Sequence, residues 1–294
     1  MTIQEQVNAL FTSQLQNWEL AHQNFSDLHS VCSKTVDFGA FQIVVQFNPA
    51  RMVSSGAKID AKTIAERPCF LCAENRPKEQ QGVEFGDYTI LVNPFPIFPQ
   101  HFTIPRRAHV PQLIRPYFGD ILTLAKALPE LVIFYNGPQC GASAPDHMHF
   151  QAGTKSFLPV VKDYFRLKTP VSKTPYFTIP NYLRTVVALE SKTIESAEHD
   201  FCELYQMLQS HPSEEPMMNI VCFYEDDTYY TLVLPRANFR PWQYTAQGDE
   251  QLLVSPATVE MSGIFITPVR AHFERITKDD IRDILTQSTR IIWP

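Results

Sequence analysis

Asn136-Gly-Pro-Gln-Cys-Gly-Ala-Ser143-Ala-Pro-Asp-His147-Met-His149-Phe-Gln151 carries a glycine-bearing turn straight into alternating polar and apolar residues. Period-two alternation is strand geometry, in which successive side chains point to opposite faces. His147, His149 and Gln151 therefore share one face, and Met148, Phe150 and Ala152 pack beneath it. Imidazole can bind a metal, shuttle a proton or attack phosphorus or carbon as a neutral nucleophile. Gly141 and Ser143 just upstream suit an anion, because glycine lets backbone N–H groups approach it and serine adds a donor. Together these residues point to phosphoryl or nucleotidyl chemistry on histidine, against the plainer alternative of a hydrogen-bonded histidine pair on a solvated strand.

Working outward toward the N-terminus, Leu131 to Tyr135 reads as a buried strand that delivers Asn136, preceded by a helical pattern over Tyr117 to Leu128. His101-Phe-Thr-Ile-Pro-Arg-Arg-Ala-His109 reads as a strand running into a turn, with His101 expected to be a polar strand position, and Tyr88 to Asn93 as the strand before it. Six cysteines at 32, 69, 72, 140, 202 and 222 are too few and scattered for a disulfide framework. Only Cys69-Phe-Leu-Cys72 has chelating spacing; it is half of a tetrahedral metal site, a redox dithiol or two small buried hydrophobes. Val36 to Phe47 reads as a strand stopped by Asn48-Pro49, and residues 3 to 29 as one amphipathic helix. Arg51, Ser54, Ser55 and Lys58 fall in a turn-rich segment between them and the cysteine pair.

The stretch His147-Met-His149-Phe-Gln151, with Asn136 and the Gly141-Ala-Ser143 turn before it, resembles the transferase branch of the histidine-triad superfamily. That branch contains galactose-1-phosphate uridylyltransferase, diadenosine tetraphosphate phosphorylase and the GDP-hexose phosphorylases. The resemblance makes His149 the nucleophile that becomes nucleotidylated and Gln151 its phosphate-oxygen partner, where the hydrolase branch has a histidine. Cys69-Phe-Leu-Cys72-Ala-Glu-Asn-Arg-Pro is similar to the uridylyltransferase almost residue for residue and implies a structural zinc held by Cys69, Cys72, His109 and His147. By the same resemblance Asn93, Asn136, Gly141, Ser143, Arg51 and Lys58 are nucleotide- or phosphate-binding candidates. The chain departs from the family spacing by one extra residue, Asp146, between Ser143 and His147.

Beyond Gly153, Phe157 to Pro180 reads as loops and short strands, and Thr193 to His211 as an acidic helix with Ile194, Ala197, Phe201, Leu204 and Leu208 on one face. Met218 to Tyr224 followed by Tyr230-Thr-Leu-Val-Leu-Pro-Arg-Ala-Asn238 echoes Ile90 to Asn93 followed by His101 to His109, so the second half reads as a repeat of the first. In that register Asn238, Glu260 and Ser262 stand for His109, His147 and His149. Ser255-Pro-Ala-Thr-Val-Glu-Met-Ser-Gly-Ile resembles a segment of the GDP-hexose phosphorylases, and Thr277-Lys-Asp-Asp280 starts a last helix.

The expected architecture is α+β and histidine-triad-like, with two tandem similar antiparallel half-barrel lobes and flanking helices. An N-terminal helix and strand (1–60) pack on the core, a catalytic lobe spans 61–190 and a degenerate second lobe spans 191–294, all in one integrated unit. A net charge of -6 and pI near 5.8 argue against a general nucleic-acid binder, and no run of eighteen or so apolar residues marks a membrane span. A cytoplasmic location is expected, and a homodimer is compatible with the reading. The resemblance implies a nucleotidyltransferase or phosphorylase acting on a nucleotide-sugar or a dinucleoside polyphosphate, with inorganic phosphate or a sugar phosphate as acceptor. The alternatives are a catalytically silent, zinc-stabilised nucleotide or sugar-phosphate binder, and a hydrolase.

Overall fold

Thr2 and Glu5 cap each other's backbone and start helix α1 (Ile3–Asn17), after which the chain breaks at Trp18 and resumes as α2 (Glu19–Leu28). The single helix expected over 3–29 is thus two. Extended backbone at Trp18 turns the axis, so that Val7 and Leu10 of one helix and Phe25 of the other meet the same core, with Trp18 itself buried. The computed structural model describes residues 1–52, 60–211 and 214–293. Ser54, Ser55 and Lys58 lie outside the described residues.

The strand expected over 36–47 is a hairpin of β1 (Cys32–Asp37) and β2 (Gln42–Phe47). Its turn forms where Gly39 adopts a φ of 85° and the Asp37 carboxylate accepts the Gly39 N–H at 2.8 Å. There follow α3 (Ala61–Glu66), β3 (Gly82–Phe85), β4 (Tyr88–Val92), β5 (His101–Pro105), α4 (Phe118–Ala127), β6 (Leu131–Asn136) and β7 (His149–Thr154). An unanticipated helix, α5 (Pro159–Leu167), occupies the region read as loops. Pro159 opens it at the position where a missing N–H costs nothing, and Val160, Val161 and Tyr164 are its buried face. The second half continues with β8 (Thr169–Pro170), β9 (Phe177–Thr178), β10 (Val187–Ser191), α6 (Ile194–Leu208), β11 (Met218–Glu225) and β12 (Thr228–Pro235). It closes with α7 (Trp242–Thr245), α8 (Thr258–Met261), β13 (Ile264–Thr267), α9 (Arg270–Arg275) and α10 (Lys278–Ser288), the last capped by Thr277 and Asp280.

Ten strands form one sheet in the order β3-β4-β5-β7-β6-β11-β12-β10-β9-β8. Read from its centre the order is a palindrome: three strands, a helix and two strands in each half, joined antiparallel at β6 and β11. This is the α+β fold of two tandem similar antiparallel halves. It also corrects the register of the repeat. β11 and β12 correspond to β6 and β7, not to β4 and β5, and α6 corresponds to α4, so Asn238, Glu260 and Ser262 do not take the places of His109, His147 and His149. The shared Pro-Arg pair misled because two residues ending a strand carry less information than the order of the elements.

One face of the sheet is covered by α1, α2, α4 and α6, with Phe118 and Phe201 stacked 3.8 Å apart where the two equivalent helices meet. The other face packs on α5, α10 and a three-stranded sheet in which β13 runs parallel to β2. Met148, Phe150 and Ala152 face the first core. His149 and Gln151, on the opposite face of β7, look toward the second.

Candidate functional site

Three separate segments bring Cys69, Cys72, His109 and His147 together, with one ligand atom of each within 4.8 Å of all the others. Cys69 Sγ lies 3.2 Å and Cys72 Sγ 3.5 Å from His147 Nδ1, and Cys72 Sγ lies 3.2 Å from His109 Nδ1. Tetrahedral zinc with its usual bond lengths would separate sulfur from nitrogen by about 3.5 Å, so the four residues fit a metal ion. His147 Nε2–H donates to the Arg106 carbonyl at 2.7 Å, which leaves Nδ1 as the lone-pair nitrogen facing the sulfurs. Burial alone would raise the Cys69 thiol; with no metal ion bound, the His147 ring takes up a second proton, on Nδ1, and its hydrogen bond together with the N–H groups of Leu71 and Cys72 brings the thiol down to about 6. Burial and the neighbouring Cys69 push the Cys72 thiol up to about 11. Without a cation the pair holds one thiolate; a bound metal ion would take the place of the second proton. Asp146 pairs with Arg67 at 2.7 Å and lies 3.8 Å from His109 Nε2, which gives the extra residue a place beside the cluster.

His149 begins β7 and is buried. Its Nδ1–H donates to the carbonyl of His147 at 2.8 Å, so Nε2 carries the free lone pair. Burial lowers its pKa to about 4 and keeps the ring neutral. Gln151, two residues on, is oriented by His101, a residue read from sequence as an ordinary polar strand position. His101 Nδ1 accepts the Ile97 N–H at 3.1 Å, so its Nε2–H donates to Gln151 Oε1 at 3.0 Å, and the Gln151 NH2 turns the other way. His101 is fully buried, and its pKa falls to about 3 by burial and by the nearby Arg51.

An open pocket of about 660 Å³ adjoins these residues. From the first half it is walled by Arg51, Asn136, Gly141, Ser143 and Gln151, and from the second half by Phe239, Arg240, Ser255, Ala257 and Glu260. Gly141, at a φ of 99°, has no room for a side chain: a Cβ there would sit 2.4 Å from the Ala257 Cβ. Asn136 Oδ1 accepts from Asn219 Nδ2 (3.0 Å), Thr258 N (2.9 Å) and Thr258 Oγ1 (2.7 Å), which fixes the amide with Nδ2 unpaired among the described residues. Arg51 donates to the Phe95 carbonyl at 2.9 Å, and burial lowers its pKa to about 10 against the opposing charge of Glu260, so it stays a cation. Two predicted residues are not in the wall. Asn93 spends its amide on Thr103 Oγ1 and the Phe95 N–H, an Asx turn, and His149 lies buried beside the pocket rather than lining it.

Sequence reading missed Gln112, Asn219, Thr258 and Arg236. Arg236, almost wholly buried, donates to the Asn219 side chain and to the carbonyls of Pro256, Asn238, Phe239 and Ser288, and so braces the second-half wall. Gln112 donates to the Asn136 and His149 carbonyls at 3.0 Å and accepts the His149 N–H at 2.8 Å. Asn219, Thr258 and Arg236 lie inside stretches that the sequence marks out, but there nothing distinguishes them from their neighbours, and Gln112 lies in none. The available signals were Pro111-Gln112 after a histidine-bearing turn, and an arginine closing an otherwise apolar strand.

A family model described as a domain of unknown function, DUF4922, matches residues 10–154, the part that holds both the cluster and His149. No curated protein matches the chain. Among solved structures, yeast Ap4A phosphorylase Apa2 in complex with Ap4A superposes with a TM-score of 0.63 at 16% identity, over 92% of this chain and 96% of that one. Its complex with AMP gives 0.59 at 17% identity, over 94% and 96%. The likeness is one of fold, and it spans both halves. No helix among the described residues is long and apolar enough to cross a membrane.

Proposed function

We propose that this chain is a nucleotidyltransferase of the phosphorylase type, acting on a nucleotide-sugar or a dinucleoside polyphosphate through a covalent nucleotidyl-histidine at His149. The observation that carries the reading is His149 itself: a buried, neutral imidazole whose Nδ1–H is tied to a carbonyl, with its Nε2 lone pair left over. The fold shared with Apa2, solved with Ap4A and with AMP, supports a nucleotide as the ligand.

His149 Nε2 attacks the α-phosphorus, the bond from phosphorus to the bridging oxygen breaks, and a sugar phosphate or nucleoside polyphosphate leaves. An oxygen of inorganic phosphate or a sugar phosphate then attacks the same phosphorus, and the P–N electron pair returns to Nε2. Dividing one displacement into two lowers each barrier. The His147 carbonyl stabilises the imidazolium of the intermediate through Nδ1–H. Gln151 Nε2, Asn136 Nδ2, Ser143 and the Gly141 turn face the phosphate oxygens, and the charge of Arg51 offsets theirs. Lys58 keeps the phosphate role implied by its resemblance, whereas Asn93 shapes the Phe95 turn. Cys69, Cys72, His109 and His147 would hold a structural zinc, which cross-links three segments and leaves no open coordination position.

The test supplies GDP-hexose or Ap4A with inorganic phosphate and follows nucleoside diphosphate release. Omitting the acceptor should trap an acid-labile adduct that maps to His149 and is absent from His149→Ala. Turnover by that variant, or an adduct on another residue, would overturn the mechanism. Binding with no adduct at all would leave a zinc-stabilised nucleotide-binding protein.

A further inference from the structure

The ladder between β6 and β7 runs from Leu131 opposite Thr154 to Phe134 opposite Gln151 and stops there. Continued in the same register it would place Asn136 opposite His149. Both strands do go on past that point, but with other partners. β7 stays paired with β5 as far as His149 opposite Pro105, and β6 stays paired with β11 as far as Asn136 opposite Asn219. The sheet is therefore split at one place, between the two residues that the proposed mechanism uses.

The split is filled by one side chain. Gln112 Oε1 accepts the His149 N–H at 2.8 Å, and its NH2 donates to the Asn136 and His149 carbonyls at 3.0 Å each. A primary amide carries the same donor and acceptor as a peptide group, so it can stand in for the backbone bond that the two strands no longer share. Gln112 is fully buried, and its own N–H donates to the Pro145 carbonyl at 3.1 Å. Glu215, from the second half, holds the surroundings: it accepts the Ile114 N–H at 2.6 Å and the Tyr135 hydroxyl at 2.5 Å.

We infer that Gln112 is a positioning residue, a side-chain wedge that holds β6 and β7 apart so that His149 and Asn136 flank one phosphoryl group instead of closing on each other. The inference rests on the proposed role of His149. A sheet zipped through this pair would bring the two backbones to ladder distance, about 5 Å between Cα atoms, and would narrow the gap beside the pocket wall. The wedge sets the spacing without touching substrate.

The test compares Gln112→Met and Gln112→Glu with the parent protein. Gln112→Met should bind nucleotide with little change but form the His149 adduct ~100-fold more slowly, the usual penalty for a small misplacement of a reacting group. Gln112→Glu keeps a donor and an acceptor only while its carboxyl is protonated; as a carboxylate it would face two carbonyl oxygens. Its rate of adduct formation should therefore fall as pH rises, whereas the Met variant is slow at every pH. A folded Met variant with the parent's rate, or a Glu variant with the parent's pH profile, would overturn the inference. Hydrogen exchange of the peptide containing residues 147–151 gives an independent readout: it should quicken in Gln112→Met, and unchanged protection in a folded variant rejects the wedge. Should the parent form no adduct with any nucleotide, the proposed function fails, and the exchange measurement alone decides Gln112.

Discussion

His147 serves two neighbours at once: its ring nitrogen Nδ1 faces the sulfurs of Cys69 and Cys72, while its carbonyl, 2.8 Å from Nδ1 of His149, sets the tautomer of that ring. A single residue thus links the metal-ligand cluster to the proposed nucleophile through its own backbone. The side chain belongs to one site and the main chain to the other.

The first expectation concerns the metal. Protein purified without chelator should contain about one zinc per chain, as a closed tetrahedral site requires. Cys69→Ser and Cys72→Ser should each lose it and melt at lower temperature, because metal binding that cross-links the loops is folding free energy. Elemental analysis showing no metal in the parent would remove the cross-link.

A second concerns pH. With His149 lowered to about 4 by burial, adduct formation should be flat through neutrality and fall only as pH approaches 4, well below the 6.5 of an ordinary histidine. Stability follows the same sign. The folded-state values of His149 and His101 lie below 6.5, so the unfolded chain takes up the extra protons, and stability present above 6.5 is lost as pH falls toward about 4 and about 3. The stability gap between the parent and His101→Phe should narrow over that range in urea unfolding, and a constant gap would contradict it.

Gln151→Ala should slow turnover by ~10²–10³-fold with little change in nucleotide affinity, the loss expected for one transition-state donor. His101→Leu, which frees the Gln151 amide to flip, should cost about tenfold, the worth of one orienting hydrogen bond. Equal losses in KM and none in kcat would assign Gln151 to ground-state binding instead.

Arg236→Met should destabilise the fold by about 3 kcal/mol or more, because it strips donors from several buried carbonyls at once. Chemical denaturation measures this directly. A change under about 0.5 kcal/mol, the range of ordinary surface substitutions, would show that the carbonyls find other partners.

The apolar runs Leu131 to Tyr135 and Ile220 to Phe223 were legible because both faces of the sheet are covered, and the buried polar residues that flank them, Asn136 and Asn219, hydrogen-bond to each other. The ligand cluster was legible because a resemblance joined residues 69, 72, 109 and 147, which no local pattern could do. Trp18 and Gly39 were not read as breaks: an apolar stripe continues across the first, and β-branched residues flank the second, so periodicity hides both. Gln112 was invisible for a different reason. Its role depends on a register that fails between two strands, and nothing in a loop's composition reports a gap in a distant ladder.

Chain order adds a constraint in time. His149 and the four ligands are all in place by residue 151, yet the pocket wall needs residues 239 to 260, and the strand behind it, β13, pairs with β2 across more than two hundred residues, Ile264 with Val44. Such a distant ladder is among the last to close, since loop closure must precede its reward. A chain leaving the ribosome would carry the proposed nucleophile well before it had the second wall of the pocket. On the proposed mechanism, chemistry would be withheld from the nascent protein until the second half arrives.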